Sequence, residues 1–94
     1  MRKGNCYVTS EALFHLLGGK DSGYKPCTVR HEGFVHWFLV RLVKTQMGVI
    51  KTIIDPTSSQ FKRLPPYHLA RGRGFLTKAP SRRARAMMDS MVYQ

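Results

Sequence analysis

Acidic residues are scarce in this sequence: Asp and Glu number 5 against 16 Lys and Arg, which gives a net charge of +11 at pH 7. A chain this basic is attracted to anionic partners. However, 43% of its residues are hydrophobic and 11% are aromatic, which excludes an intrinsically disordered chain. Its 94 residues suffice for one hydrophobic core, so we expect a single domain over residues 1–94.

Long apolar runs are also absent. The most apolar stretch, Val35–Val43, is interrupted by His36 and Arg41 and falls short of the roughly 18 residues that a membrane-spanning helix needs. The first residues contain no apolar run followed by a small-residue cleavage site, which is typical of a chain without a signal peptide. We therefore expect a cytoplasmic protein with no membrane partner.

Cysteine is represented by two residues, Cys6 and Cys27. They form no CxxC pair and no Cys/His zinc spacing, and two cysteines do not build a disulfide scaffold. We therefore expect no structural metal and no cofactor, and any role for these thiols lies in their own chemistry.

The apolar spacing at the start of the chain predicts a helix over Thr9–Leu17, which ends at Gly18 and Gly19. Glu11 suits the first turn of such a helix. Cys6 then lies at or just before the helix N-terminus.

Further along, the sequence predicts a short strand over Thr28–His31, a turn at Gly33 and a final helix from Ser81 through Arg82–Met91. With the two strands described next, this arrangement gives an α+β fold. The N-terminal helix packs on a small antiparallel sheet of about three strands, and a second helix follows.

Two segments rich in β-branched and aromatic residues, Phe34–Val43 and Gly48–Asp55, are separated by a short polar connection typical of a hairpin. If the connection is a two- or four-residue loop in register, facing residues have numbers that sum to 91, as in Val43 with Gly48. The same sum places His36 opposite Asp55, with Cβ atoms about 4.5–5.5 Å apart.

These positions suggest nucleophilic catalysis. A cysteine acts as a nucleophile when a helix N-terminus and a nearby imidazole lower its pKa, and the imidazole is oriented by a third group. Cys6, His36 and Asp55 supply the nucleophile, the base and the orienting carboxylate from three separate elements. His31 is the alternative base if the hairpin has another register, and a structural His36–Asp55 pair is the alternative without catalysis.

Three motifs carry a resemblance to known proteins: Gly4-Asn5-Cys6-Tyr7 before a helix, His36-Trp37-Phe38-Leu39-Val40 on a strand, and Ile53-Ile54-Asp55-Pro56-Thr57 at the end of the next strand. They resemble the catalytic blocks of papain-like cysteine proteins, most of all the transglutaminase-like group and the double-glycine leader peptidases. The resemblance implies a minimal papain-like fold and acyl transfer to Cys6 from a protein or peptide substrate. It covers residues 4–60 as a catalytic-like core.

Leader peptidases also carry an oxyanion-hole Gln before the nucleophile, and no Gln stands among residues 1–5. The backbone N–H of Cys6 remains as one donor. Asn5 and Gln60 are the candidates for the second donor. The loss of such a donor costs about 10²–10³ in rate.

Residues 61–94 form a basic loop and the C-terminal helix. Half of the chain's Lys and Arg lie between positions 62 and 85 without an intervening acid: Lys62, Arg63, Arg71, Arg73, Lys78, Arg82, Arg83 and Arg85. Such a run either neutralises phosphates or attracts an acidic protein, or it forms a solvated cationic face that aids solubility. The alternative function is therefore a nucleic-acid-binding or host-protein-binding module on an inactive papain-like scaffold. The small, basic chain also resembles proteins encoded by bacteriophages, which implies action in a bacterial host.

Overall fold

The computed structural model describes residues 6–75 and 78–92. Within these ranges the helices and strands follow in the order α1 (Cys6–Leu16), β1 (Lys25–His31), β2 (Phe34–Thr45), β3 (Gly48–Ile54), β4 (Arg71–Gly72) and α2 (Arg82–Val92). The α+β class predicted from the sequence is confirmed. In the part of the chain that is described, no helix is long and apolar enough to cross a membrane.

The sheet is antiparallel and has four strands in the order β3-β2-β1-β4. The prediction of about three strands is wrong because Arg71 and Gly72 pair with Thr28 and Cys27 on β1. Their Gly- and Arg-rich sequence has no strand character of its own, so the edge of β1 imposes the pairing. β1 itself begins at Lys25, three residues before the predicted start.

The hairpin between β2 and β3 has a different register from the predicted one. Thr45 pairs with Gly48 and Leu39 with Ile54, so partner numbers sum to 93 instead of 91. The loop is two residues long and the strands extend further towards it. A change of two in the sum is a shift of two residues, which keeps every side chain on its predicted face. By this register Thr57 would lie opposite His36. Asp55 precedes Thr57 by two residues and follows the last residue of β3, Ile54.

Helix α1 closes the part of the β2 edge that β3 leaves uncovered. Because β3 ends opposite Leu39, the first residues of β2 have no strand partner on that side among residues 6–75 and 78–92. The carbonyl oxygens of Val35 and Trp37 instead accept hydrogen bonds from Cys6 Sγ at 3.6 Å and Ser10 Oγ at 3.0 Å. The helix begins at Cys6 and not at Thr9, and this edge contact fixes its first turn beside His36.

One face of the sheet forms an apolar core that includes Cys27, Val29, Phe38 and Val40, and Tyr67 packs against it. The other face carries Trp37. The Trp37 ring contacts the Tyr7 ring of α1 at 4.7 Å and is stacked on Phe75 at 5.5 Å between centroids. Tyr7 follows Cys6 in the chain and Trp37 follows His36, so the contact between these two rings holds the neighbours of Cys6 and His36 together.

Glu11 joins the two helices. It does not lie in the first turn of α1, as the sequence predicts, but in the middle of the helix, where it is fully buried. Its carboxylate accepts hydrogen bonds from the N–H of Ser81 at 3.0 Å and from Ser81 Oγ at 2.7 Å. Ser81 Oγ in turn accepts from the Ala84 N–H at 3.2 Å, so that a buried carboxylate and an N-cap serine fix the start of α2.

Replacement of Ser81 by Ala should lower the free energy of unfolding by about 1–3 kcal/mol, because it removes a helix cap and leaves a buried Glu11 oxygen unpaired. Urea denaturation measures the change. Ser90→Ala is the control, since Ser90 is exposed on the same helix. Equal stability of Ser81→Ala and Ser90→Ala would contradict this role of the Glu11–Ser81 contact.

Candidate active site

Cys6 is the first residue of α1 and is 4% exposed. The N-terminus of a helix carries a partial positive charge, which favours a thiolate over a thiol. In the structure the thiol donates to the Val35 carbonyl oxygen with an Sγ···O distance of 3.6 Å. The nucleophile predicted from the sequence therefore lies beside the strand residue that precedes His36.

His36 is the centre of the site and is 0% exposed. Its Nε2 lies 2.7 Å from Asp55 Oδ2. Because a carboxylate only accepts hydrogen bonds, Nε2 carries the proton in this contact. The imidazole is packed against the rings of Phe38 and Phe61, with centroids 5.7 and 4.7 Å away, so its plane is fixed on two sides.

The second ring nitrogen, Nδ1, is left for Cys6. It is buried and has no hydrogen bond of good geometry within the described part of the chain. Cys6 and His36 nevertheless act on each other's pKa, with His36 lowering that of the thiol and Cys6 raising that of the imidazole, so the two side chains are neighbours. Nε2 is thus held by Asp55, Nδ1 is without a partner in this part of the chain, and the thiol lies near the ring. A base between a nucleophile and an orienting group has the same order of contacts.

Tyr67 completes the site and was not predicted from the sequence. Its hydroxyl donates to the same Asp55 Oδ2 at 2.7 Å, and its ring packs on Phe38 at 5.0 Å. Burial and the Asp55 carboxylate raise the pKa of Tyr67, so the phenol stays protonated and remains a donor. It lies in a short 3-10 turn between Pro66 and Ala70, and no pattern in that segment indicates a catalytic partner.

The electrostatics of the site favour separated charges. Burial alone raises the pKa of the Cys6 thiol, but the His36 hydrogen bond, backbone hydrogen bonds from Trp37 and Tyr7 and the attraction to His36 outweigh it, and the net pKa is lowered. Burial likewise lowers the pKa of His36, but hydrogen bonds to Asp55 and Cys6 raise it to about 9. Both directions stabilise a thiolate beside an imidazolium.

The remaining residues of the sequence prediction are distributed as follows. His31 is not a base for Cys6, because its Nε2 is bound to the Arg63 carbonyl at 2.9 Å and lies 3.3 Å from Glu32. Cys27 is a buried thiol of the sheet core with a raised pKa, chiefly because of burial. Asn5 and the side chain of Gln60, the two predicted oxyanion donors, lie outside the described residues.

The predicted basic region is spread over several elements. The backbone N–H groups of Lys62 and Arg63 bind the Glu32 carboxylate. Arg71 and Arg73 lie at the β4 edge, and Arg82, Arg83 and Arg85 are exposed on the first turns of α2. Lys78 lines a separate cavity of about 710 Å³ beside the C-terminal half of α1, together with Phe14, His15, Tyr24 and Phe75. Cys6, His36 and Asp55 are not part of that cavity.

We compared the chain with protein-family models, with curated proteins and with solved structures. No match was found. The geometry of the site is therefore what bears on the function of the protein. Within the described residues, no cluster of three or more His, Cys, Asp or Glu side chains is arranged to hold a metal ion. The arrangement contains a candidate nucleophile in Cys6, a candidate base in His36, the Asp55 carboxylate that binds this base, and the Tyr67 hydroxyl that binds the carboxylate.

The raised pKa of His36 predicts a pH dependence of stability. A folded pKa of about 9 against an ordinary 6.5 means that His36 contributes stability that is fully present below about pH 6.5 and is lost as pH rises through 9. The contribution of His36 to the free energy of unfolding should therefore fall between neutral pH and pH 10, and a Cys6→Ala variant, which has no opposing thiol titration, shows this fall directly. This fall should be smaller in Asp55→Asn, which removes the carboxylate.

Denaturation with urea across this pH range measures the effect, and NMR titration of the His36 ring gives its midpoint directly. The lowered pKa of Cys6 has the opposite sign, because it contributes stability above its ordinary pKa of 9.0 that is lost as pH falls. An imidazole midpoint near 6.5 in the wild-type protein would contradict the proposed pairing.

Proposed function

We propose that this protein is a cysteine-dependent hydrolase or acyltransferase that acts on a peptide, isopeptide or amide bond. The observation that carries the proposal is the position of His36, whose Nε2 is bound to Asp55 at 2.7 Å while Cys6 interacts with the same ring. We further propose a papain-like architecture. The chain order of Cys6 on a helix, His36 on a strand and Asp55 after the next strand supports it.

The first half of the reaction transfers the acyl group to sulfur. The Cys6 thiolate forms a bond to the carbonyl carbon, and the carbonyl electron pair moves to oxygen. The tetrahedral intermediate collapses as protonated His36 gives its Nδ1 proton to the leaving nitrogen and the C–N bond breaks. An amine leaves and a thioester remains on Cys6.

The second half regenerates the site. The oxygen of a water molecule, or the nitrogen of an acceptor amine, attacks the thioester carbon. Neutral His36 takes a proton from this attacking molecule. The C–S bond then breaks and the thiolate returns beside the imidazolium. Asp55 and Tyr67 act throughout as positioning residues. Asp55 accepts the Nε2 proton and so leaves Nδ1 for the sulfur, and Tyr67 holds the Asp55 carboxylate by donating to it.

The alternative is binding of nucleic acid or of a host protein on an inactive scaffold. The exposed guanidinium groups of Arg82, Arg83 and Arg85 favour it, since they occupy the first turns of α2, where the helix macrodipole disfavours cations. A binding module requires no activated thiol. The reactivity of Cys6 therefore separates the two functions.

Iodoacetamide should alkylate Cys6 rapidly near neutral pH, and Cys27 much more slowly, because the two thiols have opposite pKa shifts. The Cys6 rate should rise with pH to a plateau that begins below the ordinary thiol pKa of 9.0. In His36→Ala the pKa of Cys6 should rise, because His36 lowers it, and the plateau should move to higher pH. A tenfold fall in the acid dissociation constant of the thiol lowers the thiolate fraction at neutral pH, and with it the alkylation rate, by about tenfold.

Mass spectrometry of alkylated peptides resolves the two cysteines. The Cys27→Ser variant is the matched control and should keep the fast phase. If Cys6 reacts at the rate of an ordinary or inaccessible thiol and His36→Ala changes nothing, Cys6 is not an activated nucleophile and the hydrolase proposal is wrong.

p-Nitrophenyl acetate should give an initial burst of nitrophenol as Cys6 is acetylated, followed by slower turnover. Cys6→Ala should abolish the burst, and His36→Ala should lower both phases by about 10²–10⁴, the usual contribution of a general acid–base group. Asp55→Asn should lower turnover in the same direction, because the ring loses its orienting carboxylate.

Stopped-flow absorbance measures both phases, and unfolding curves verify that each variant is folded. Tyr24→Phe is a control that preserves ring packing away from the reacting residues. A burst that persists in Cys6→Ala would assign the acetylation to another residue.

A further inference from the structure

Three arginines lie on the sheet face that carries Trp37. Thr28 on β1 pairs with Trp37 on one side and with Arg71 on the other, and Arg30 pairs with Val35. Cross-strand partners share a face, and alternate residues of a strand return to it. Arg30, Arg71 and Val35 therefore project on the same side as Trp37. The Arg73 guanidinium lies 5.7 Å from the centroid of the Trp37 ring.

These side chains border a pocket of about 420 Å³, lined by Arg30, Arg71 and Arg73 together with Thr28, Val35 and Leu69. All three arginines are exposed. Within residues 6–75 and 78–92, none of them forms an ion pair, and no carboxylate lines the pocket. The charge of the three guanidinium groups is thus available to a bound anion.

The pocket is adjacent to the nucleophile through Val35. The Val35 carbonyl oxygen accepts the hydrogen bond of the Cys6 thiol, while its side chain is 38% exposed and lines the pocket. The Tyr7 ring, one residue after Cys6, contacts Trp37 at 4.7 Å.

We propose that this arginine pocket binds a glutamate or aspartate side chain of an acidic peptide substrate, next to the bond that Cys6 attacks. The proposal rests on the proposed hydrolase function. Guanidinium groups bind carboxylates through paired hydrogen bonds, and Val35 and Leu69 provide apolar contact for the methylene groups of the same side chain. The volume suits one or two side chains and is too small for a nucleic-acid duplex.

Competition between two alkylating reagents tests the pocket. Iodoacetate and iodoacetamide both form a bond from sulfur to carbon and release iodide, but iodoacetate carries a carboxylate. The ratio of the Cys6 rates with iodoacetate and iodoacetamide should be higher in the folded protein than in the urea-unfolded chain, and added salt should lower it.

In an Arg30→Gln, Arg71→Gln double variant the iodoacetate rate should fall about tenfold, equivalent to about 1.4 kcal/mol, while the iodoacetamide rate stays within about twofold. Lys44→Gln is the matched control, since Lys44 is an exposed cation nine residues from Val35 along β2, about 30 Å away. A short glutamate peptide, but not its glutamine counterpart, should also slow the iodoacetate reaction.

The outcomes distinguish the two proposals. Slow iodoacetamide labelling of the wild-type Cys6 overturns the hydrolase function itself. Fast labelling with a rate ratio that the arginine substitutions leave unchanged overturns the substrate pocket alone. If a single-stranded oligonucleotide protects Cys6 and the glutamate peptide does not, the pocket binds nucleic acid, and the acidic-peptide proposal is wrong.

Discussion

The unpaired edge of β2 is the constraint on which the site depends. A strand edge presents backbone groups that need hydrogen-bond partners when they are buried. β3 ends opposite Leu39, and α1 supplies those partners from Cys6 and Ser10. The same contacts bring the N-terminus of the helix to the start of β2. The position of Cys6 is therefore a consequence of where the neighbouring strand stops.

The His36–Asp55 contact was predicted from the sequence through a register that is wrong by two residues. The prediction of the contact survives because the side-chain period of a strand is two, so the error leaves His36 and Asp55 on the same side of the hairpin. Diagonal neighbours two residues out of register remain within reach of long side chains. An error of one residue would have separated them. The hydrophobic pattern thus determined the face, while the pairing depends on the position of the two-residue turn at residues 46–47, which the sequence pattern did not fix.

Other parts of the site have no signal of their own in the sequence. Tyr67 reaches Asp55 from a proline-flanked 3-10 turn, and Arg71 reaches the sheet through a two-residue strand. Both depend on tertiary contacts that overrule local propensity. Glu11 is similar, because a carboxylate early in a helix ordinarily supports its own N-terminus. Here it is buried in the middle of α1 and binds Ser81, the N-cap residue of α2, since α2 packs against this side of α1.

Cys6 and Cys27 show that partners, and not burial, determine the character of each thiol. Their exposures are 4% and 9%, and in both cases burial is the largest single influence and raises the pKa. Cys27 lies in an apolar core, where distant lysines do not compensate for that effect. Cys6 has an imidazole beside it and a helix N-terminus behind it, and the net shift is reversed. A buried His–Asp pair rarely adds stability over apolar residues of the same size, so its presence next to a thiol with a lowered pKa supports the proposed chemistry at Cys6.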